Sequence, residues 1–432
     1  MEEKCNWNLS DIFENKEEFE TTKQEFESDL KEIEKYKNHL CDSSDNLYSC
    51  YRMYEKALEK LEKLYAFGML TYHLDMSNQE SIKLFKEVEK LEADFGTATS
   101  FITPEITYTD TTVIEKYLNE NTKLKRYTRI INEILEDKEH ILSKEEENLL
   151  ANYAEVFNAP ENTFDILTNA EFKFGILKDE DGKEIEMTES NYSLYIRSLN
   201  EGVRKQAFTL LYSKYKEFVN TIAELYLTNV KSSSINAKIR KYKSSLEQAV
   251  KNDDASIQVY EALIKTVDEN IQLNHEFIEL KKKLLQKQDL HMYDLYVNPF
   301  EENKDYITYE NAIKEVKEAL SVIGTKYIDK LDEAFNNKWL DVYTKENKKG
   351  GAYSMGVYGV HPYVLLNFVN SKRDVSTIAH ELGHSMHSYY SNENQNVIDA
   401  NYTIIVAEVA STVNEILLSD YQVKHEKDNR KK

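Results

Sequence analysis

Residues 380–384 read His380-Glu381-Leu382-Gly383-His384. On a helix, positions i and i+4 share a face, so two imidazoles at that spacing can reach one metal ion. The glutamate at the second position can hold a water beside them and take its proton. The bland alternative is a surface helix that happens to carry two histidines. Its surroundings argue against that. Asp374 can cap the helix, Ile378, Leu382 and Met386 supply an apolar flank, and His387 brings a third histidine within eight residues. His387 lies one turn beyond His384 and reads as a packing or substrate-side residue without a metal role.

A catalytic zinc needs three protein ligands and one open position. The third is expected in the run Thr403 to Val413, which is apolar apart from Glu408 and small hydroxyls. A lone carboxylate there is costly to bury unless it is paired or metal-bound. Glu408, Ser411, Thr412 and Glu415 share one helical face, so Ser411 and Glu415 are candidates to steady the ligands. The expected metal set is therefore His380, His384 and Glu408, with Glu381 as general base and one Zn2+ per chain.

The elements that must position these residues are mostly helical. Eleven glycines and four prolines in 432 residues are few breakers, and the chain is rich in Glu, Lys and Leu. Helical periodicity runs through most of residues 15–100, 115–160, 190–285 and 308–335. Residues 143–157 illustrate it. Ser143 and Glu146 form a capping-box pair, and Leu149, Leu150, Tyr153, Val156 and Phe157 then recur on one face. No strict heptad persists, which favours packed layers over a coiled-coil rod. Two places break the pattern. Residues 172–187 read as a β-hairpin around Asp179-Glu180-Asp181-Gly182. Residues 350–370 hold four glycines and then Val364-Leu365-Leu366, a turn-rich stretch feeding a strand directly before the metal helix. The expected division is residues 1–110 as a helical region, 111–190 as a helical and β-hairpin subdomain, and 191–432 as the catalytic domain.

Composition bounds the partners. A net charge of −22 repels nucleic acid and anionic membrane. No apolar run approaches the ~18 residues of a membrane span, and no apolar signal core follows Met1. Cys5, Cys41 and Cys50 are an odd, irregularly spaced set and read as free thiols of a reducing compartment, so the cytoplasm is expected.

The segment His380 to His387, followed by Glu408-Val409-Ala410-Ser411-Thr412 and Asn414-Glu415, resembles the oligoendopeptidase F branch of the thimet-oligopeptidase-like zinc metallopeptidases. So do Gly351 to Ser354, Gly359 to Tyr363 and His291 to Tyr296. The resemblance runs to about Tyr421. It implies a mainly α, bilobed fold with a deep channel, admitting short unstructured peptides. It also implies that the strand near Tyr363–Phe368 pairs with substrate backbone. Members of that family continue well past the third ligand, with tyrosine and histidine side chains that meet the oxyanion. This sequence ends at Lys432, so the resemblance implies a catalytic domain truncated at its C-terminus. It implies weak activity alone, and completion by a separate C-terminal segment. Tyr353, Tyr358 and His361 are the candidate substitutes near the metal. Two other readings stand beside the peptidase: a catalytically silent zinc-binding fragment, and a helical interaction protein with a vestigial site.

Overall fold

The computed structural model describes residues 5–143, 146–147, 149–150, 153–299 and 306–426. In chain order it runs α1 (Lys16–Glu34), α2 (Ser44–Leu74), α3 (Gln79–Thr99), α4 (Ile102–Tyr108), α5 (Thr111–Glu120) and α6 (Thr128–Glu136). Then come α7 (Ala154–Asp165), β1 (Ile176–Lys178), β2 (Glu184–Glu186), α8 (Glu189–Tyr195), α9 (Glu201–Glu217), α10 (Val219–Ile239), α11 (Ser245–Asn252) and α12 (Ile257–Leu284). The last part holds α13 (Tyr309–Leu320), α14 (Thr325–Asn336), β3 (Leu340–Tyr343), β4 (Tyr353–Met355), β5 (Tyr363–Phe368), α15 (Lys372–Asn394), α16 (Val397–Ala400) and α17 (Ile404–His425). The mainly α expectation holds. Residues 1–141 with 304–432 form one compact unit and residues 142–303 a second. The expected boundaries at 110 and 190 therefore fall inside units, because the chain leaves the first unit and comes back to it.

In the first unit, α1 to α3 are packed layers and not a rod. Each starts at a polar cap: Asn15, Ser43 and Asn78 accept from backbone N–H groups of the first turn. Their buried faces, including Phe19, Phe26, Leu47, Leu64, Val88 and Leu91, merge into one core. A three-stranded sheet follows in the order β3-β5-β4, with β3 and β5 parallel and β4 and β5 antiparallel. Alternation along β5 divides the two cores of this unit. Tyr363 and Leu365 join the α1–α3 core, while Val364, Leu366 and Phe368 join a core built on α13, α15 and Leu418 of α17. The buried Lys348 ammonium pins the loop before β4. It pairs with Asp341 at 2.7 Å and donates to the Leu366 carbonyl at 2.6 Å.

The second unit keeps the expected hairpin, with Leu177 opposite Ile185. Its core is small, with Phe172, Phe174, Leu177 and Met187 packed on Val203, Ala207 and Leu211 of α9. Asp294, in the His291–Tyr296 motif, is buried and takes the Arg204 guanidinium at 2.5 Å and Lys287 at 3.1 Å. The Ser143–Glu146 cap forms, with Glu146 N–H donating to Ser143 Oγ at 3.3 Å. Leu149, Tyr153, Val156 and Phe157 are all exposed, however, and α7 starts anew at Ala154 after a turn at Tyr153, so these residues do not form the one buried helical face expected.

One buried acid gives a pH prediction. Burial pushes the Glu62 carboxyl on α2 up to about 7; the Tyr358 N–H at 3.2 Å opposes this and Glu59 adds to it. The folded state thus favours the neutral form and the unfolded state the charged one. Stability is lost as pH rises from the ordinary value near 4.5 through about 7. Glu62→Gln keeps an acceptor for Tyr358 without the charge. It is expected to melt like wild type at pH 5 and higher at pH 8, by on the order of 1–2 kcal/mol after allowing for partial exposure. Melts of the metal-free protein at both pH values test this, and an equal offset at both would reject it.

Candidate metal centre

The motif helix α15 begins at Ser371, whose hydroxyl accepts from the Asp374 N–H at 3.3 Å while Asp374 accepts from the Ser371 N–H at 2.7 Å. The cap is therefore Ser371, with Asp374 as its reciprocal partner and not the cap itself. Ile378, Leu382 and Met386 are buried as expected. That anchoring leaves the opposite face, with His380 and His384, turned toward α17.

Three donors meet there. His380 Nε2 and His384 Nε2 stand 3.1 Å apart, and Glu408 Oε2 lies 3.7 Å from the first and 3.8 Å from the second. Ligands of a tetrahedral zinc with bonds of about 2.0–2.1 Å are roughly 3.3–3.5 Å apart, so these residues fit such an ion. His380 Nδ1 is held by the Glu415 carboxylate, which leaves Nε2 as the free donor. Burial and the neighbouring His380 hold the His384 imidazole below its usual pKa, which keeps it neutral as a ligand must be. Among the described residues this is the one His, Cys and carboxylate cluster able to hold an ion.

Glu408 arrives differently from the sequence expectation. Its side chain is 52% exposed, and Ile404, Ile405, Val406, Val409 and Val413 around it are exposed too. A buried-charge penalty therefore does not single it out; convergence with the two imidazoles does. Ser411 is fully buried and donates to the Glu408 carboxylate at 2.9 Å. Thr412 shares the face but turns back to the Glu408 backbone carbonyl. Glu381 is 6% exposed, and burial pushes its carboxyl up to about 7, with His380 lowering it and Glu408 raising it.

The remaining candidates are engaged elsewhere. The His387 ring stacks on Tyr402 at 3.7 Å, and its buried Nδ1 has no hydrogen-bond partner. The Tyr353 hydroxyl meets His73 Nδ1 at 2.8 Å, and the Tyr358 hydroxyl donates to the Gln395 carbonyl at 2.9 Å. His361 stacks on Trp339, with Nδ1 against the Pro362 carbonyl and Nε2 against Asp11. No polar group of these three aromatics is left free for a substrate oxyanion. The pairing strand also needs correction. β5 (residues 363–368) is the central strand, flanked on both edges, so it has no edge for a peptide; the open edge beside α15 is that of β4. Ser354 of β4 meets the buried Ser385 of α15 at 2.8 Å, which ties that edge to the motif helix.

Sequence reasoning missed Gly383. A Cβ on it would lie 2.6 Å from the Ala410 carbonyl oxygen and 2.6 Å from Ser411 Cα, so only glycine lets α17 approach this closely. A glycine inside a helix costs ~1 kcal/mol relative to alanine, and that unexplained cost was the available signal.

Residues 194–432, more than half of the chain, match Peptidase family M3, and residues 105–174 match Oligopeptidase F. The chain belongs to peptidase family M3. It is 36% identical to oligopeptidase PepF of Bacillus subtilis over 99% of its own length, and spans 64% of that protein. It is also 36% identical to an oligoendopeptidase F homolog of Lactococcus lactis, covering all of this chain and 72% of the relative. Among solved structures, a candidate peptidase of Chlamydophila abortus superposes with a TM-score of 0.87 at 30% identity, covering 100% of this chain and 72% of that one. Oligoendopeptidase-F of Enterococcus faecium gives 0.66 at 29% identity, covering 96% and 68%. Among the described residues, no helix is long and apolar enough to cross a membrane.

Proposed function

We propose that this chain is a zinc-dependent endopeptidase acting on short, unstructured peptides, with Glu381 as general base. The observation that carries the reading is the convergence of His380 Nε2, His384 Nε2 and Glu408 Oε2 on one point, beside a buried carboxylate. Zinc bound there would supply Lewis acidity and a water of lowered pKa. His380, steadied by Glu415, and Glu408, steadied by Ser411, would keep their donor atoms aimed at the ion. Glu381 would take the proton of the attacking water and return it to the leaving amine. The open edge of β4 offers backbone groups that would hold an extended peptide along α15, and a folded substrate has no free strand to offer it. The thiols of Cys5, Cys41 and Cys50 fit a reducing, cytoplasmic setting.

A second reading, zinc binding with little turnover by these 432 residues alone, is supported by one observation. Tyr353, Tyr358 and His361 are all tied elsewhere, and the loss of one oxyanion donor costs ~10²–10³ in turnover. The exposed apolar face of α17, Ile404 to Val413, would then be covered by a further polypeptide segment that supplies the missing donor.

Metal analysis of chelator-free protein tests the centre. Wild type is expected to hold about one zinc per chain and His384→Ala far less, given three required ligands. Equal metal in both would reject the ligand set. A quenched-fluorescent peptide assay then separates the two readings, because turnover by the chain alone rules out the silent one.

A further inference from the structure

The geometry points to Asn414, held by Tyr327, as the positioning residue that fixes the carboxylate ligand against the two imidazoles; this rests on the zinc reading above. Glu408 stands in the second turn of α17, where the Ala407 backbone bonds the His384 imidazole but the start of the helix lies open to solvent. Thr403 at the N-cap makes no side-chain cap bond, and Ile404, Ile405 and Val406 are exposed. Something further along the helix must set its rotation and height. The close contact at Gly383 cannot do so alone, since backbone packed against backbone has no directional bond to resist a turn or a slide.

Asn414 supplies a direction anchored outside the ligand set, whereas the neighbouring Glu415 bonds a ligand imidazole itself. It is 2% exposed, and its Nδ2 donates to the Ala379 carbonyl at 2.9 Å, one residue before His380. Its amide also spans the Tyr327 hydroxyl of α14, with Oδ1 accepting at 3.1 Å and Nδ2 donating at 2.9 Å. Burial pushes the Tyr327 phenol up to about 12, so it remains a donor throughout the working range. Six residues of helix between Glu408 and Asn414 rise ~9 Å, and such a lever carries a small rotation at Asn414 into the ligand position. Zinc–ligand distances tolerate only about 0.2 Å, so a helix turned by even a few degrees weakens the site.

The test is zinc affinity by competition with a chromophoric chelator, the visible spectrum of the cobalt-loaded protein, and melting of the metal-free protein. Asn414→Ala is expected to lose ~10–100-fold in zinc affinity and to change the cobalt spectrum. Asn414→Asp keeps an acceptor for the Tyr327 hydroxyl but has no donor for it or for Ala379, and is expected to behave alike. Tyr327→Phe, which leaves the Ala379 bond, should lose severalfold. Leu418→Ala is the control, since Leu418 is a buried apolar residue of the same helix nearly three turns beyond Glu408. It is expected to lower the melting temperature at least as much while keeping wild-type zinc affinity and spectrum.

Wild-type affinity and spectrum in folded Asn414→Ala would overturn the inference, as would an equal loss of affinity in Leu418→Ala. Should Asn414→Ala fail to fold, wild-type behaviour of Tyr327→Phe overturns it and a selective loss of affinity supports it. A wild-type chain that takes up neither metal overturns the metal centre itself, which is a separate failure.

Discussion

Glu381→Gln is expected to keep about one zinc per chain and to lose peptide hydrolysis by ~10²–10⁴, roughly 3–5 kcal/mol of transition-state stabilisation. The amide occupies nearly the same volume, so the buried site and the donors around it are undisturbed. What it loses is basicity, because an amide oxygen does not accept the proton of the attacking water. The carboxylate it replaces is buried beside the donor cluster, and its oxygens can take a proton and return it. The comparison requires a preparation with measurable turnover, of the chain alone or with the segment proposed to cover α17. Metal analysis and the peptide assay on the same samples decide the role. Zinc lost together with activity would make Glu381 a structural or ligating residue, and unchanged turnover would remove it from the chemistry.

Gly383→Ala is expected to lose zinc affinity by two orders of magnitude or more while most helical content remains. The added methyl would sit 2.6 Å from two backbone atoms of α17, at Ala410 and Ser411, and a backbone cannot turn aside as a side-chain tip can. α17 must therefore move as a body. A shift of about 1 Å is several times the tolerance of a zinc–oxygen bond, and it also draws Glu415 away from the His380 imidazole it holds. Overpacking of this kind costs ~1–3 kcal/mol of stability, so the metal-free protein should still fold. Chelator competition measures the loss, with His384→Ala as the lower reference. Wild-type affinity in Gly383→Ala would mean that the helices can separate without disturbing the site.

What the sequence determined by itself is local. Two imidazoles four residues apart share a face whatever α15 packs against, and Ser371 and Asp374 reciprocate because three residues separate them. The hairpin around Gly182 and the helices capped at Asn15, Ser43 and Asn78 follow from rules spanning a few residues. Family membership was legible for the same reason, since the motif residues lie close together in the chain. What only the tertiary structure decided is the distance between segments. Glu408 meets the two imidazoles because α17 reaches α15, and it does so through Gly383, the Asn414–Ala379 bond and the Glu415–His380 pair, none of which a periodicity encodes. Strand order likewise decided that β5 is enclosed and β4 open, because a run of apolar residues looks alike in either place. Exposure was decided there as well. An apolar run such as Ile404–Val413 is written in the sequence, but whether a neighbour covers it depends on where distant helices lie.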